Sequence, residues 1–281
     1  MEKICCLPCG GISEMMHERI PGIPRFEEDS WHDKRHDYAL CIPVINEGKR
    51  IYHELERAQA AGVDKAVDII ICDGGSKDGS TSREILDPLG VNTLLTKRDS
   101  GKQGAQLRMG FYWALQRGYK GIVTIDGNDK DSIEDVPKFV DKLEEGYDFV
   151  QGSRFLPGGT AVRTPKIRYV AVRLIHAPVI SLTAGKWYTD TTNAYRAYSR
   201  RYLIDSRVQP LRDVFQSYEL LAYLSVRADQ LGMKTCEIPV KRIYPPAGKT
   251  PTKISFFGGN WDLLRTLFKN LFGAYKPSKG K

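Results

Sequence analysis

The sequence predicts an α/β domain with a mainly parallel central sheet flanked by helices and a ligand site along one edge of that sheet. Three observations predict it. Between residues 38 and 151, five apolar strand-like runs alternate with stretches of helical pattern. Four of the runs end in turns rich in Asp, Asn, Gly and Ser or in a basic residue. The composition is globular, with 281 residues of which 41% are hydrophobic and 27% charged, enough for a core of ordinary size.

The elements follow in order. Tyr38 to Val44 reads as a strand, Lys49 to Ala60 as a helix, Ala66 to Cys72 as a second strand and Asp78 to Leu86 as a short helix. Val91 to Thr96 is a third strand. Gln103 to Arg117 is a helix with Leu107, Phe111, Ala114 and Leu115 on one face. Gly121 to Ile125 is a fourth strand, Ile133 to Leu143 a helix, and Asp148 to Gln151 a fifth strand. After Gly152 the rhythm changes. Lys166 to Ala184 is a helix interrupted at Pro178, Asn193 to Tyr198 a strand, Val214 to Asp229 a helix, Thr235 to Val240 a strand, and Ser255 to Tyr275 the last helical stretch. The expected division is an N-terminal extension over 1–37, ordered only in part, a main domain over 38–253, and an amphipathic basic tail over 254–281.

The net charge is +8, and residues 1–37, with eight acids and five bases, stand against the basic remainder. A basic body suits phosphate ligands, nucleic acid or anionic lipid. The bases are spread and no helix-turn-helix or ribonucleoprotein motif occurs, so nucleic acid is not expected. Cys41 and Cys72 lie in apolar strands and read as buried free thiols; Cys6 and Cys9 form a C-x-x-C without a second ligand pair and read as part of a thiol-bearing arm. The first residues lack the pattern of a secretion signal, and a reducing compartment is expected. The most apolar region, Tyr169 to Gly185, is broken by Arg173, His176 and Pro178, so no spanning helix is expected.

The strand ends carry the chemistry. Pro43-Val-Ile-Asn-Glu47, Asp73-Gly-Gly-Ser-Lys-Asp-Gly-Ser80, Asp126-Gly-Asn-Asp-Lys130 and Gly152-Ser-Arg154 follow four separate strands at one sheet edge. Glu47 and Asp73 can accept hydrogen bonds from a base and ribose. Asp126 and Asn128, two apart, can each offer an oxygen to one Mg2+ or Mn2+. Arg154 and Lys102 suit a diphosphate. Glycines 74, 75 and 127 permit turns that side chains would block. Taken singly these are ordinary turn residues; as a series they point to a nucleotide site. There is no G-x-G-x-x-G, no P-loop and no H-E-x-x-H, which argues against dinucleotide oxidoreductases, P-loop enzymes and zincins.

This series, with Phe155, resembles the motifs of family 2 glycosyltransferases. Asp190-Thr-Thr-Asn-Ala-Tyr-Arg-Ala-Tyr198, Phe215-x-x-x-Glu219, Glu237-Ile-Pro-Val240 and Gly248 to Lys253 resemble the dolichyl-phosphate mannosyltransferase branch. The resemblance covers about residues 38–255. It implies a glycosyltransferase-A fold (Rossmann-like), a UDP- or GDP-linked sugar donor, a divalent cation and inversion at the anomeric carbon. It implies that Pro43, Glu47 and Asp73 hold the nucleoside, that Asp126 and Asn128 hold metal and diphosphate, and that Arg154 faces the diphosphate or the acceptor phosphate. Arg168 or Arg173, and Lys253, would bind the acceptor phosphate. The chain departs from the pattern at Gly74, where the family often has a second Asp, at Ile45 in place of Tyr, at Asn128 in place of Asp, and at Lys130 in place of Gln, where a lysine would supply part of the metal's charge.

A phosphate acceptor, already a nucleophile, needs no general base; a hydroxyl of a glycan or lipid does, and Glu219 or Asp190 would supply it. The expected activity is hexose transfer to a polyprenyl phosphate, with a hydroxyl acceptor as the alternative. A sugar-nucleotidyltransferase is disfavoured by the lack of a glycine-rich basic loop after the first strand. The non-enzyme alternative is a nucleotide-sugar-binding module with a weakened metal site. In the tail, Trp261, Leu264, Phe268, Leu271 and Tyr275 fall on one helical face, with Lys276, Lys279 and Lys281 beyond. That pattern suits peripheral attachment to the cytoplasmic face of a membrane, docking on the domain's own core, or a homodimer contact. The Lys166–Ala184 helix, with Arg168, Arg173 and His176 among apolar residues, is a second membrane candidate or a buried helix.

Overall fold

The computed structural model describes residues 15–17, 20–245 and 258–277. Its strands are β1 (Met15–His17), β2 (Phe26–Ser30), β3 (Tyr38–Val44), β4 (Asp68–Asp73), β5 (Val91–Lys97), β6 (Gly121–Thr124), β7 (Phe149–Ser153), β8 (Thr160–Val162), β9 (Arg196–Ser199), β10 (Thr235–Pro239) and β11 (Lys241–Ile243). Nine form one sheet in the order β1-β2-β5-β4-β3-β6-β9-β7-β10; β8 and β11 pair in parallel apart from it. The β5-β4-β3-β6 centre is parallel, as expected from strand–helix alternation. β9 runs antiparallel between β6 and β7.

Strand period two divides the core. Cys41, Ile70 and Cys72 face one layer with Phe111 and Leu220, whereas Leu40, Ile42, Ile69 and Ile71 face the other with Ile51, Leu55 and Phe139. Helix Gln103–Gln116 is buried on nearly every side, where a single apolar face was expected, because the sheet covers one side and helix Glu219–Gln230 packs near the other. Its Arg108 is buried and donates to the Phe215 carbonyl at 2.9 Å. Pro43 donates no N–H, and the ladder to β6 has already ended at Cys41, so it breaks no pairing there.

The expected boundary at residue 38 lies too late. Phe26–Ser30 pairs antiparallel with β5, Phe26 is fully buried, and Arg117 forms an ion pair with buried Glu28. The backbone N–H groups of Arg35 and His36 donate to buried Asp68. Residues 20–37 are thus part of the domain: they cover a sheet edge that would otherwise present unpaired backbone.

The helix from Lys166 runs through Pro178 to Ala184, so the expected interruption is misplaced. The irregularity is a π-helical turn over Val172–His176. Proline cannot tolerate the regular carbonyl position four residues back, which is Leu174, and the wider turn accommodates it. Ala177, Ile180, Ser181 and Ala184, at helical spacing, are buried against the body. The 19-residue helix, at mean hydropathy 1.2, is long and apolar enough to cross a membrane by length and composition, with 28% of it buried.

Helix Gly258–Leu271 docks beside helices Ala177–Ala184 and Glu219–Gln230. Its inner face is Thr266, Leu267 and Asn270, and the Asn270 amide donates to the Ala222 carbonyl at 2.8 Å. The expected stripe is therefore split: Tyr275 is buried while Phe268 faces outward. The Cys6–Cys9 pair, Lys253 and the side chain of Trp261 lie outside the described residues.

Candidate active site

The carboxyl ends of β3, β4 and β6 converge, as the parallel centre requires. Asp73 is buried, and its carboxylate accepts from the backbone N–H groups of Gly75 and Ser76 and from the Ser76 hydroxyl at 2.6 Å. Asp73 therefore shapes the loop after β4. That loop is laced to the one after β3: Asn46 donates its N–H to Ser76 Oγ, and its Oδ1 accepts from the Lys77 N–H. Below them the buried Gln106 amide donates to the carbonyls of Val44 and Cys72, the last turns of two adjacent strands. A Cβ on Gly74 would stand 3.1 Å from that amide nitrogen and 3.2 Å from Ile45, which explains why glycine occupies this place. Glu47, on the outer rim, pairs with Arg50 at 2.6 Å, and Pro43 lies on β3 beside Cys72.

Asp126 is the partly open carboxylate of the edge. Its Oδ1 accepts from Gln103 at 2.7 Å and its Oδ2 lies 3.4 Å from Arg242. Gly127 runs so close to β3 that a Cβ would meet Val44 at 2.9 Å. This holds Asp126 and Asn128 in fixed relation. The Oδ1 of Asn128 is buried and has no hydrogen-bond partner among the described residues. A carboxylate and an orphaned amide oxygen two residues apart fit one hard divalent cation. Among the described residues no cluster of three or more His, Cys, Asp or Glu converges for a metal, so other ligands would come from water and a diphosphate.

Arg154 is placed differently from the expectation. Its guanidinium is bidentate to Asp190, at 2.6 and 2.9 Å, with both side chains buried. Burial would raise the Asp190 pKa, but the charge and hydrogen bonds of Arg154 hold it below the ordinary carboxylate value. A locked carboxylate of lowered basicity is poorly suited to take a proton from a hydroxyl; Asp190 instead holds the Arg154 guanidinium. The Glu237 carboxylate in turn accepts the backbone N–H groups of Thr189 and Asp190. Glu219, the other candidate base, accepts the Ser217 N–H at 2.6 Å at the start of its helix; Arg212 donates to the Gln209 and Tyr275 carbonyls and does not pair with it. The Lys102 side chain is exposed beside Gln103, and its backbone N–H donates to Gln216.

The residues that sequence reading missed are Gln103, Arg242 and Tyr244. Buried Arg242 pairs with buried Asp131 and reaches Asp126. The ring of buried Tyr244 has Lys130 at 5.5 Å, Arg242 at 5.8 Å and Arg168 at 6.0 Å, and its hydroxyl accepts from Arg168 at 3.1 Å. Burial would push the phenol up, yet Arg242, Arg168 and Arg154 bring it below its usual value. Arg173, exposed, stands 5.3 Å from the Phe155 ring, which Arg154 also approaches. Arg154 and Arg173 thus share the Phe155 ring, and Arg168 shares the Tyr244 ring with Arg242, the residue that reaches Asp126. The signal available for Arg242 was only a base inside an apolar, strand-like run.

His176, in the π-helical turn, bonds Thr191 at 2.7 Å. Burial, then the charge of Arg196, push its pKa down to about 4, partly offset by Asp190. Between about pH 6.5 and pH 4 the unfolded chain binds a proton that the folded chain refuses, so folding stability falls as pH falls through this window. The expected contribution is about 1–3 kcal/mol. Urea unfolding of His176→Asn is expected to show a flatter stability profile between these pH values; an unchanged slope would assign the acid sensitivity elsewhere.

Comparisons with known proteins bear on the family and the fold. Glycosyl transferase family 2 matches residues 39–207, more than half of the chain. Polyprenol monophosphomannose synthase of Mycolicibacterium smegmatis is 29% identical over 205 residues, 72% of this chain and 75% of that protein. Undecaprenyl-phosphate mannosyltransferase of Micrococcus luteus is 27% identical over 213 residues, 74% of this chain and 84% of that one. Both support the expected branch. Glucosyl-3-phosphoglycerate synthase from Mycobacterium tuberculosis, solved in complex with UDP, superposes with a TM-score of 0.60 over 84% of this chain and 80% of its own, at 16% identity, which shows the glycosyltransferase-A-like fold. With the family's match running over residues 39–207, across the parallel centre of the sheet, the chain belongs to glycosyl transferase family 2.

Proposed function

We propose that the protein transfers a hexose, with inversion, from a UDP- or GDP-sugar to a polyprenyl phosphate at the cytoplasmic face of a membrane, to which it attaches peripherally. The observation that carries this reading is the path of cations. Asp126, the donor edge, touches Arg242; Arg242 and Arg168 flank Tyr244; and Arg168 belongs to the helix whose outer side is apolar. On that helix Ile167, Val170, Leu174 and Leu182 are 64, 51, 72 and 75% exposed, and Trp187 follows at 67%. A single exposed apolar residue needs no explanation, but a run of them beside a phosphate-binding arginine suits a lipid phosphate. The names of the relatives point to the same acceptor class. The engaged state of Asp190 also favours an acceptor that needs no base.

In this reading the loops after β3 and β4, shaped by Asp73 and edged by Pro43 and Glu47, hold the nucleoside. Asp126 and Asn128 would hold Mg2+ or Mn2+, which would neutralise charge on the departing diphosphate. Arg168, Arg173 and Lys253 hold the acceptor phosphate. A phosphate oxygen forms the new bond to the anomeric carbon from the face opposite the diphosphate, while the bond to the diphosphate breaks. Asp190 keeps Arg154 oriented toward this edge.

Purified protein given UDP- and GDP-sugars, Mn2+ and a short polyprenyl phosphate in detergent is expected to release nucleoside diphosphate only when the lipid phosphate is present. Donor binding with no lipid-dependent release would overturn the acceptor assignment and direct attention to hydroxyl acceptors and Glu219. Leu174→Glu with Leu182→Glu is expected to weaken cosedimentation with anionic vesicles at least about tenfold, because the added charges must leave water. Unchanged sedimentation would remove this helix from the membrane contact.

A further inference from the structure

We propose that Lys130 and Arg242 are resident cations of the donor-diphosphate subsite, so that the chain binds a nucleoside diphosphate without requiring the divalent ion. The inference rests on the reading of Asp126 and Asn128 as the donor edge and concerns binding, not turnover.

The argument begins with the charges around the edge. A site made of two carboxylates carries two negative charges when empty and repels a diphosphate until a metal arrives. Here the position beside Asp126 is the neutral Asn128, and the second nearby carboxylate, Asp131, is buried in an ion pair with Arg242. Lys130 is also buried; burial and the like charge of Arg242 work against its ammonium, and Asp126 and Asp131 work for it. Asp126 and Asp131 are thus balanced by Lys130 and Arg242 before any ligand binds.

The cations are also held in place. Lys130 and Arg242 both lie against the ring of buried Tyr244, which positions cations without cancelling their formal charge. Arg242 divides its guanidinium. One nitrogen serves Asp131 and, at 3.3 Å, Asn193; the other reaches Asp126 at only 3.4 Å. That long contact can pass to a phosphate oxygen while the Asp131 pair stays intact. Lys130 and Asp131 come from the loop after β6 and Arg242 from β11, joined by a β-bridge between Asp131 and Arg242, so the backbone itself sets the spacing.

Calorimetric titration of UDP and GDP in EDTA and in Mn2+ tests this. For the better-bound nucleotide, the wild-type affinity in EDTA is expected within about tenfold of that in Mn2+. Lys130→Gln is expected to weaken binding in EDTA at least about tenfold, and by several times more than it does in Mn2+, and Lys130→Arg, which keeps the charge, to restore binding in EDTA. Asn128→Asp approaches from the other side. It adds a carboxylate and is expected to make binding depend on metal, which keeps the test decisive if thermal melting shows Lys130→Gln to be misfolded. A wild-type affinity that falls more than about a hundredfold in EDTA, or equal EDTA affinities for wild type and a folded Lys130→Gln, would overturn the inference. Absence of nucleotide binding in both conditions would instead sink the donor reading beneath it.

Discussion

Asp126→Ala is expected to lower sugar transfer at least about a thousandfold, the scale on which removal of a principal electrostatic stabiliser of a leaving group is felt. Asp126 is the open carboxylate at the centre of the sheet edge, and three arrangements depend on it. Its Oδ1 fixes Gln103 at the start of a buried helix, its Oδ2 lies against Arg242, and it stands two residues from the orphaned amide oxygen of Asn128. The side chain is 23% exposed and packs no core volume, so the melting temperature should move little. Steady-state turnover with a nucleotide-sugar and a polyprenyl phosphate, set beside a thermal melt, checks this. Retention of more than about a tenth of the activity by a folded variant would place the diphosphate elsewhere.

Asp190→Ala is expected to destabilise the fold by about 3–5 kcal/mol, because it leaves the guanidinium of Arg154 buried without its counter-charge. Both side chains are almost fully inaccessible, and Asp190 also accepts the Arg154 and Thr192 backbone N–H groups. Equilibrium urea unfolding reads the loss. Arg154→Met combined with Asp190→Ala is expected to recover part of it, since no charge is then stranded. A single variant as stable as wild type would mean that the pair is not the anchor it resembles. The same measurement separates positioning from proton transfer: a general base would affect hydroxyl-acceptor turnover with little change in stability.

The parallel centre was legible because its signals are local. Alternation along β3 to β7 places successive side chains in opposite layers, and the polar turns that follow these strands can be read from a few neighbouring residues. β2 was not legible. Phe-Glu-Glu-Asp-Ser has one apolar side chain, and its strand form comes from pairing with β5 and from Arg117, far along the chain. The tail helix misled for a related reason. Its most apolar stripe on a helical wheel is not the one that docks, since Asn270 finds a carbonyl of helix Glu219–Gln230 and draws its own face inward.

By itself the sequence determined the α/β class, the family, and the strand ends on which Asp73, Asp126 and Asn128 stand. Each of these follows from contiguous residues. Tertiary structure alone decided what the carboxylates and cations do to one another. Arg154 meets Asp190 across 36 residues, and Arg242 meets Asp126 across 116. A charge in a linear pattern looks the same whether it is bound for water, for a salt bridge or for a ligand. Only burial beside a particular partner separates a proton acceptor from a clamp.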